Sequence, residues 1–254
     1  MNSMGNTALP ADKAALAEAL RADLARLIAQ RASIASDPAD AADRRRLRAW
    51  QAARLARTYA DLLANPRYRP AADFFLSDLY GARDPSRRDA DMAQVVPLFA
   101  RMLPVLALRT VVLAVRLEAL SEELDRAIIV ALREEGGPEA LAALDEARYA
   151  GAFRRAGTRG GREAQIAVTG EIGAALDRLT KLPALGTALR FMRGPASAIG
   201  VSELHQFLER GFRAFRHMGD SSRFLQTIRS RETAILVQLY AGEARPFAVQ
   251  LERG

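Results

Sequence analysis

The 254 residues are 50% hydrophobic and 26% charged, with no cysteine, one tryptophan and a formal charge of +7 from 37 basic and 30 acidic side chains. This composition excludes a low-complexity or disordered chain, a disulfide framework, and any zinc, iron–sulfur or nucleophilic site that needs a thiol. The charge is unevenly placed: residues 1–147 hold 20 basic and 21 acidic side chains, whereas residues 148–254 hold 17 and 9, net +8. A partner drawn to the second part should be acidic. Only Lys13 and Lys181 are lysine and alanine is abundant, a pattern that GC-rich coding produces by itself, so the high pI says little about nucleic acid.

Residues 1–11 read as a disordered start, and nearly everything after them is helical in period. Leu16, Leu20, Leu24, Leu27 and Ile28 recur at three- and four-residue steps along a first helix, Asp12 to Ala35. Asp37-Pro38 supplies a cap and a restart. A second helix carries Leu47, Trp50, Leu55, Tyr59, Leu62 and Leu63 to Asn65-Pro66, giving an antiparallel hairpin over residues 12–65 that packs on the rest or projects from it. The main all-helical domain, 66–254, starts with a linker, Arg67 to Pro70, and a short apolar helix, Ala71 to Tyr80. Asp84-Pro85-Ser86 caps the next element, with Asp89 and Asp91 suiting its positive end. Pro97 and Pro104 divide the segment after that cap, and Pro104 to Glu135 is the central helix. Further helices are expected over 138–156, 163–180, 183–192, 201–218 and 221–240, broken at Leu182-Pro183, Gly194-Pro195 and Gly219-Asp220. The sum is an all-α bundle of about ten helices without a fixed repeat. The longest apolar run, Val105 to Leu120, is too short and too charged to span a bilayer. With no secretory leader in Met1 to Asp12 either, the expected location is the cytoplasm.

Phe74-Phe75-Leu76-Ser77-Asp78-Leu79-Tyr80-Gly81, then Arg87-Arg88-Asp89-Ala90-Asp91, then Gly211 to Phe215 in a G-F-x-A-F segment, resembles an uncharacterised family of all-helical bacterial proteins. That resemblance implies a helical fold and supplies no activity or cofactor. In physical terms Phe74, Phe75, Leu76 and Leu79 fill a core. Asp78 and Tyr80 then need polar partners, and Arg87, Arg88 and Asp89 complete a polar cluster that reads first as a structural clasp and second as a ligand contact.

In the central helix, Glu118, Glu122 and Asp125 share one stripe. A di-iron site would need Glu-x-x-His pairs. Ser202 and Ala214 stand where His205 and His217 would require glutamate, so the stripe is expected to mark where the helix emerges into water beside Arg126 and Arg133. Arg109 and Arg116 share a face of the apolar half, and each must pair, reach solvent or line a polar cavity. A lone inward histidine among phenylalanines is chemically sufficient for haem. His205, at the edge of the Leu204, Leu208, Phe212 and Phe215 face, is therefore either hydrogen-bonded structure or an axial ligand. The densest basic cluster is Arg148, Arg154, Arg155, Arg159 and Arg162, the last two in a glycine-rich loop. It reads as an anion site or as a solvated loop.

No nucleophile elbow, Walker loop, H-E-x-x-H or dinucleotide fingerprint is present. The expected function is a cofactor-free, non-catalytic binding or interaction protein. Its apolar cavity would lie between the 74–80, 105–120 and 207–215 helices, with arginines such as Arg109 and Arg154 holding an acidic or amphipathic partner. The alternatives are a haem enzyme or sensor on His205 and a nucleic-acid-associated protein. The second lacks interleaved exposed aromatic residues and a recognition helix.

Overall fold

Two aspartates open the first two helices. In the computed structural model, which describes residues 9, 12–79 and 86–248, Asp12 accepts from Ala15 N at 2.9 Å to start α1 (Lys13–Ala35). Asp37 accepts from Ala39 N at 2.8 Å to start α2 (Pro38–Thr58), with Pro38 in the first turn. The disorder expected of residues 1–11 falls outside the described residues, Leu9 excepted. The chain continues through α3 (Ala60–Ala64) and α4 (Arg69–Phe74), a π-helical turn at Phe75–Leu79, α5 (Ser86–Met102) and α6 (Val105–Gly136). It ends with α7 (Glu146–Arg155), α8 (Arg159–Thr180), α9 (Pro183–Phe191), α10 (Arg193–Ala198), α11 (Ser202–Met218) and α12 (Ser222–Ala241). The fold is all-α, with no strand among the described residues.

The hairpin packs on α5 and α6 more than on itself. Leu16, Leu20, Leu24 and Leu27 of α1 close on Val96 of α5 and on Leu108, Val112 and Val115 of α6. Leu47 of α2 joins Ile128 and Leu132 of α6, Tyr149 and Phe153 of α7, and Ile235 and Leu239 of α12. Each such leucine, removed from water, contributes about 1.5–3 kcal/mol. The apolar face of α1 is thus covered by its own chain.

Several expected boundaries move for local reasons. Pro97 sits inside α5 without ending it, whereas Pro104 does separate α5 from α6. The helix expected from Pro138 begins only at Glu146, because Asp145 caps it by accepting from Arg148 N at 2.8 Å; residues 137–139 form a single 3-10 turn. Arg159 to Arg162, expected in a loop, are the first turn of α8. The chain reverses just before them at Gly157, whose φ of 63° favours glycine. The break expected at Gly194-Pro195 lies within the first turn of α10, where proline is tolerated.

Two of the sequence segments that carry the family resemblance meet in space. Phe74 packs on the backbone of α11 at Gly211, where a Cβ would stand 2.9 Å from Phe74 Cζ. Phe75 and Phe207 flank it, with ring centroids 6.1 and 5.2 Å from that of Phe74, and Phe75 continues the stack to Phe215 and Phe224. These rings fill a core cluster separate from the one that holds Leu108 and Val112 of α6. The three helices expected to enclose one apolar cavity therefore serve two packed cores.

Candidate functional site

The carboxylate stripe of α6 is buried. Glu122 is 2% exposed and Asp125 6%, because α2 turns Arg44, Arg48 and Gln51 toward them at the same four- and three-residue steps. Glu122 accepts from Arg31 Nε at 3.0 Å, from Arg48 Nη2 at 2.6 Å and from Arg44 Nη2. Arg31 also reaches Glu118. Asp125 accepts from Gln51 Nε2 at 2.9 Å and has Arg44 Nη1 at 2.9 Å as an ion pair not aligned for a hydrogen bond. Arg162 Nη2 of α8 stands 3.7 Å from the same Oδ1 that Gln51 holds. The expectation that this stripe emerges into water is corrected: the helix stays covered, and guanidiniums replace the water. Burial pushes Arg44 below its usual pKa against the pull of Asp125 and Glu122.

The same pairing continues along the hairpin. Arg133 of α6 binds Asp43 and Asp40 at 2.6 Å each. Further along, Arg54 and the Tyr59 hydroxyl both donate to Glu232 of α12, at 2.7 and 2.8 Å. Arg231 then forks onto Asp61 with two 2.7 Å bonds. Burial opposes the charge of Arg54, yet Glu232 holds its pKa above the usual value. A carboxylate clasped by two or three guanidiniums is a poor general base. The seam ties α1, α2 and α8 to α6 through these pairs, and no group of three metal-ligating side chains occurs among the described residues.

The residues singled out in sequence do not converge. Arg109 is exposed and has no partner among the described residues, while Arg116 pairs with Asp23 at 2.7 Å. In the basic cluster, Arg148 donates to Ala143 O at 3.1 Å, Arg154 to Leu239 O at 3.1 Å, and Arg155 to Glu135. Arg159 pairs with Glu163 at 3.0 Å and lies over the Tyr240 ring. All four are exposed but tied to different neighbours, so they do not frame one anion site. Arg162 alone turns inward, 7% exposed, with Gln165 Oε1 at 3.0 Å. Of the expected clasp, Tyr80 and the side chains of Asp78, Arg87, Arg88 and Asp89 lie outside the described residues. Asp91 is buried and its carboxylate lies 3.4 Å from Leu204 N at the start of α11.

His205 is 7% exposed, and its Nε2–H donates to Leu189 O at 2.7 Å, pinning α9 to α11. That nitrogen therefore presents a proton to a carbonyl where an axial ligand would present a lone pair. Gly186 makes the neighbouring contact, since a Cβ there would touch the Phe212 ring at 3.0 Å.

Sequence reasoning passed over two features. The stripe of hydrogen-bond donors Arg44, Arg48 and Gln51 has the spacing of the acidic one it faces, and that match was the available signal. The second is the junction of α9 and α10. There Phe191 is 77% exposed, the largest exposure of any large apolar residue described, between Arg190 and Arg193. Residues 178–216 around it hold seven lysine or arginine side chains and two glutamates, net +5 within the +8 half. Of these, Arg193 binds Glu209 at 2.5 Å with Arg213 at 3.7 Å; burial works against that carboxylate, but the two guanidiniums hold its pKa below the usual value. Arg190 has only a 3.4 Å contact to Thr187.

Residues 30–246 match the family described as Domain of unknown function (DUF8198), and the chain belongs to that family. The expected membership of an uncharacterised family holds. No curated protein and no solved structure matches. No helix among the described residues is long and apolar enough to cross a membrane.

Proposed function

We propose that this member of the family is a cytoplasmic, non-catalytic interaction protein that takes an acidic, amphipathic partner at the α9–α10 junction. The observation that carries this reading is Phe191, left 77% exposed between two arginines in a fold that covers its other described phenylalanines far better. Covering such a ring on binding is worth about 1.5–3 kcal/mol. The surrounding positive charge speeds and selects encounters with an acidic surface more than it holds them. The packed phenylalanine core and the His205 hydrogen bond give less support to a haem-centred reading. The buried or locally paired state of the arginines in the 148–162 cluster gives less to nucleic acid.

The test is a display selection of helical peptides against the whole chain, followed by titration of the enriched sequences. The expected winners carry apolar residues at three- and four-residue spacing with aspartate or glutamate between them. Phe191→Ala should weaken them at least about tenfold, roughly 1.4 kcal/mol, and Arg190→Glu should weaken them further at low salt. Winners indifferent to both substitutions would defeat the reading. Affinity for duplex or single-stranded nucleic acid that falls steeply with salt would favour the nucleic-acid alternative instead.

A further inference from the structure

Away from that junction, a cavity of about 50 Å³ lies between α2, α7, α8 and α12. Its walls are largely aromatic and aliphatic, with Tyr149, Phe153, Ile235 and Phe247 among them, and Arg54, Arg162, Gln165 and Glu232 supply its polar atoms. Part of this set is internally satisfied. Arg54 Nη1 donates to Glu232, Arg162 Nη1 donates to Gln165, and the Gln165 amide donates to Ser121 Oγ at 2.8 Å.

The buried polar atoms of this lining that lack a hydrogen-bond partner are all donors. Arg54 Nε, Arg162 Nε and Arg162 Nη2 are buried without a hydrogen-bond partner, on residues 9% and 7% exposed. The 3.7 Å from Arg162 Nη2 to Asp125 is beyond hydrogen-bond reach. A buried charged donor left unmet is among the costlier defects a fold can carry. The charges lean the same way: two cations of the lining, Arg54 and Arg162, face one lining carboxylate, Glu232, and Asp125, 3.7 Å from Arg162, is already paired with Arg44. A species that only accepts hydrogen bonds and carries one negative charge meets both needs at once. Since one water needs on the order of 10–15 Å³ of such space, the cavity of about 50 Å³ has room for one small ion together with a water or two.

We propose that this cavity is a binding site for a small monovalent anion of halide or nitrate size, held by Arg162 Nε and Nη2 and by Arg54 Nε. The site ties α8 to α2 and α12, so its occupancy stabilises the fold. Sulfate and hydrogen phosphate bring a second negative charge beside Glu232, so a monovalent anion is preferred.

The experiment uses the full chain at constant ionic strength, with gluconate exchanged for chloride, bromide or nitrate. A saturable rise in Tm is expected, about 5–10 °C at a hundredfold excess over Kd, with sulfate no better than gluconate. Bromide-soaked crystals should show anomalous density within hydrogen-bond distance of Arg162 and Arg54, and Arg162→Gln should abolish the saturable rise. If that variant does not fold, the anomalous map of the wild-type protein decides. Density for water alone in the cavity, bromide only at other places, or a Tm that ignores the identity of the anion would each overturn the proposal.

Discussion

Arginines on α2 and arginines around the α9–α10 junction are the same chemical group in opposite circumstances. On α2, Arg44 and Arg54 are buried and Arg48 largely so, and each meets a carboxylate from a distant part of the chain. At the junction, Arg190 is exposed and nearly without partners, and the apolar residue beside it is the least covered large one described. Arginine content alone therefore says nothing about a partner. What matters is whether a carboxylate at matching spacing faces the guanidinium from inside the same fold.

The buried side of this contrast depends most on Glu122. Replacing it with alanine leaves Arg31, Arg44 and Arg48 around a void, and a buried pair deprived of one member loses about 3–5 kcal/mol. Urea denaturation of Glu122→Ala should show that loss, and a variant as stable as wild type would mean that the seam is hydrated. Next comes Gly211→Ala, where the new methyl meets Phe74; overpacking of this kind costs about 1–3 kcal/mol, visible as a lower Tm with unchanged far-UV circular dichroism.

A smaller effect is expected from acid. The fork of Arg231 holds Asp61 below its usual 3.8, so the unfolded chain binds that proton more readily than the folded one. The stabilisation is therefore full above about pH 4 and fades as pH falls through the lower folded value. Tm against pH should drop more gently below pH 4 in Asp61→Asn than in wild type; parallel curves would assign the acid limb elsewhere. The smallest effect is at Arg155, exposed and paired only with exposed Glu135. Arg155→Ala should change stability by about 0–1 kcal/mol, and a larger loss would show that the 148–162 cluster holds the fold together after all.

The helices were legible because their leucine periods and caps are local properties. Asp12 and Asp37 act as N-caps where expected, and Leu16 to Leu27 form the buried face that their spacing implies. The turn before α8 was legible as a turn, but its extent was not, since Arg159 to Arg162 are helical through contacts made with α6 and α12. The seam was half legible. Glu118, Glu122 and Asp125 stood out as a stripe, but their burial depends on Arg44 and Arg48, more than 70 residues away, whose number looked like an effect of coding. The exposure of Phe191 was not legible because α9 is apolar on most sides, so its period does not say which side is left uncovered.

If the α9–α10 junction is spare surface while the α2–α6 seam is structure, the two must respond differently to truncation. The most direct measurement is the urea unfolding free energy of the Arg190→Ala/Phe191→Ala double variant. The expected value lies within about 1 kcal/mol of wild type, the most that a helix-terminal cation contributes at an exposed position, together with loss of the selected acidic peptides. A loss of stability comparable to that expected of Glu122→Ala would contradict this division, because the junction would then be part of the core.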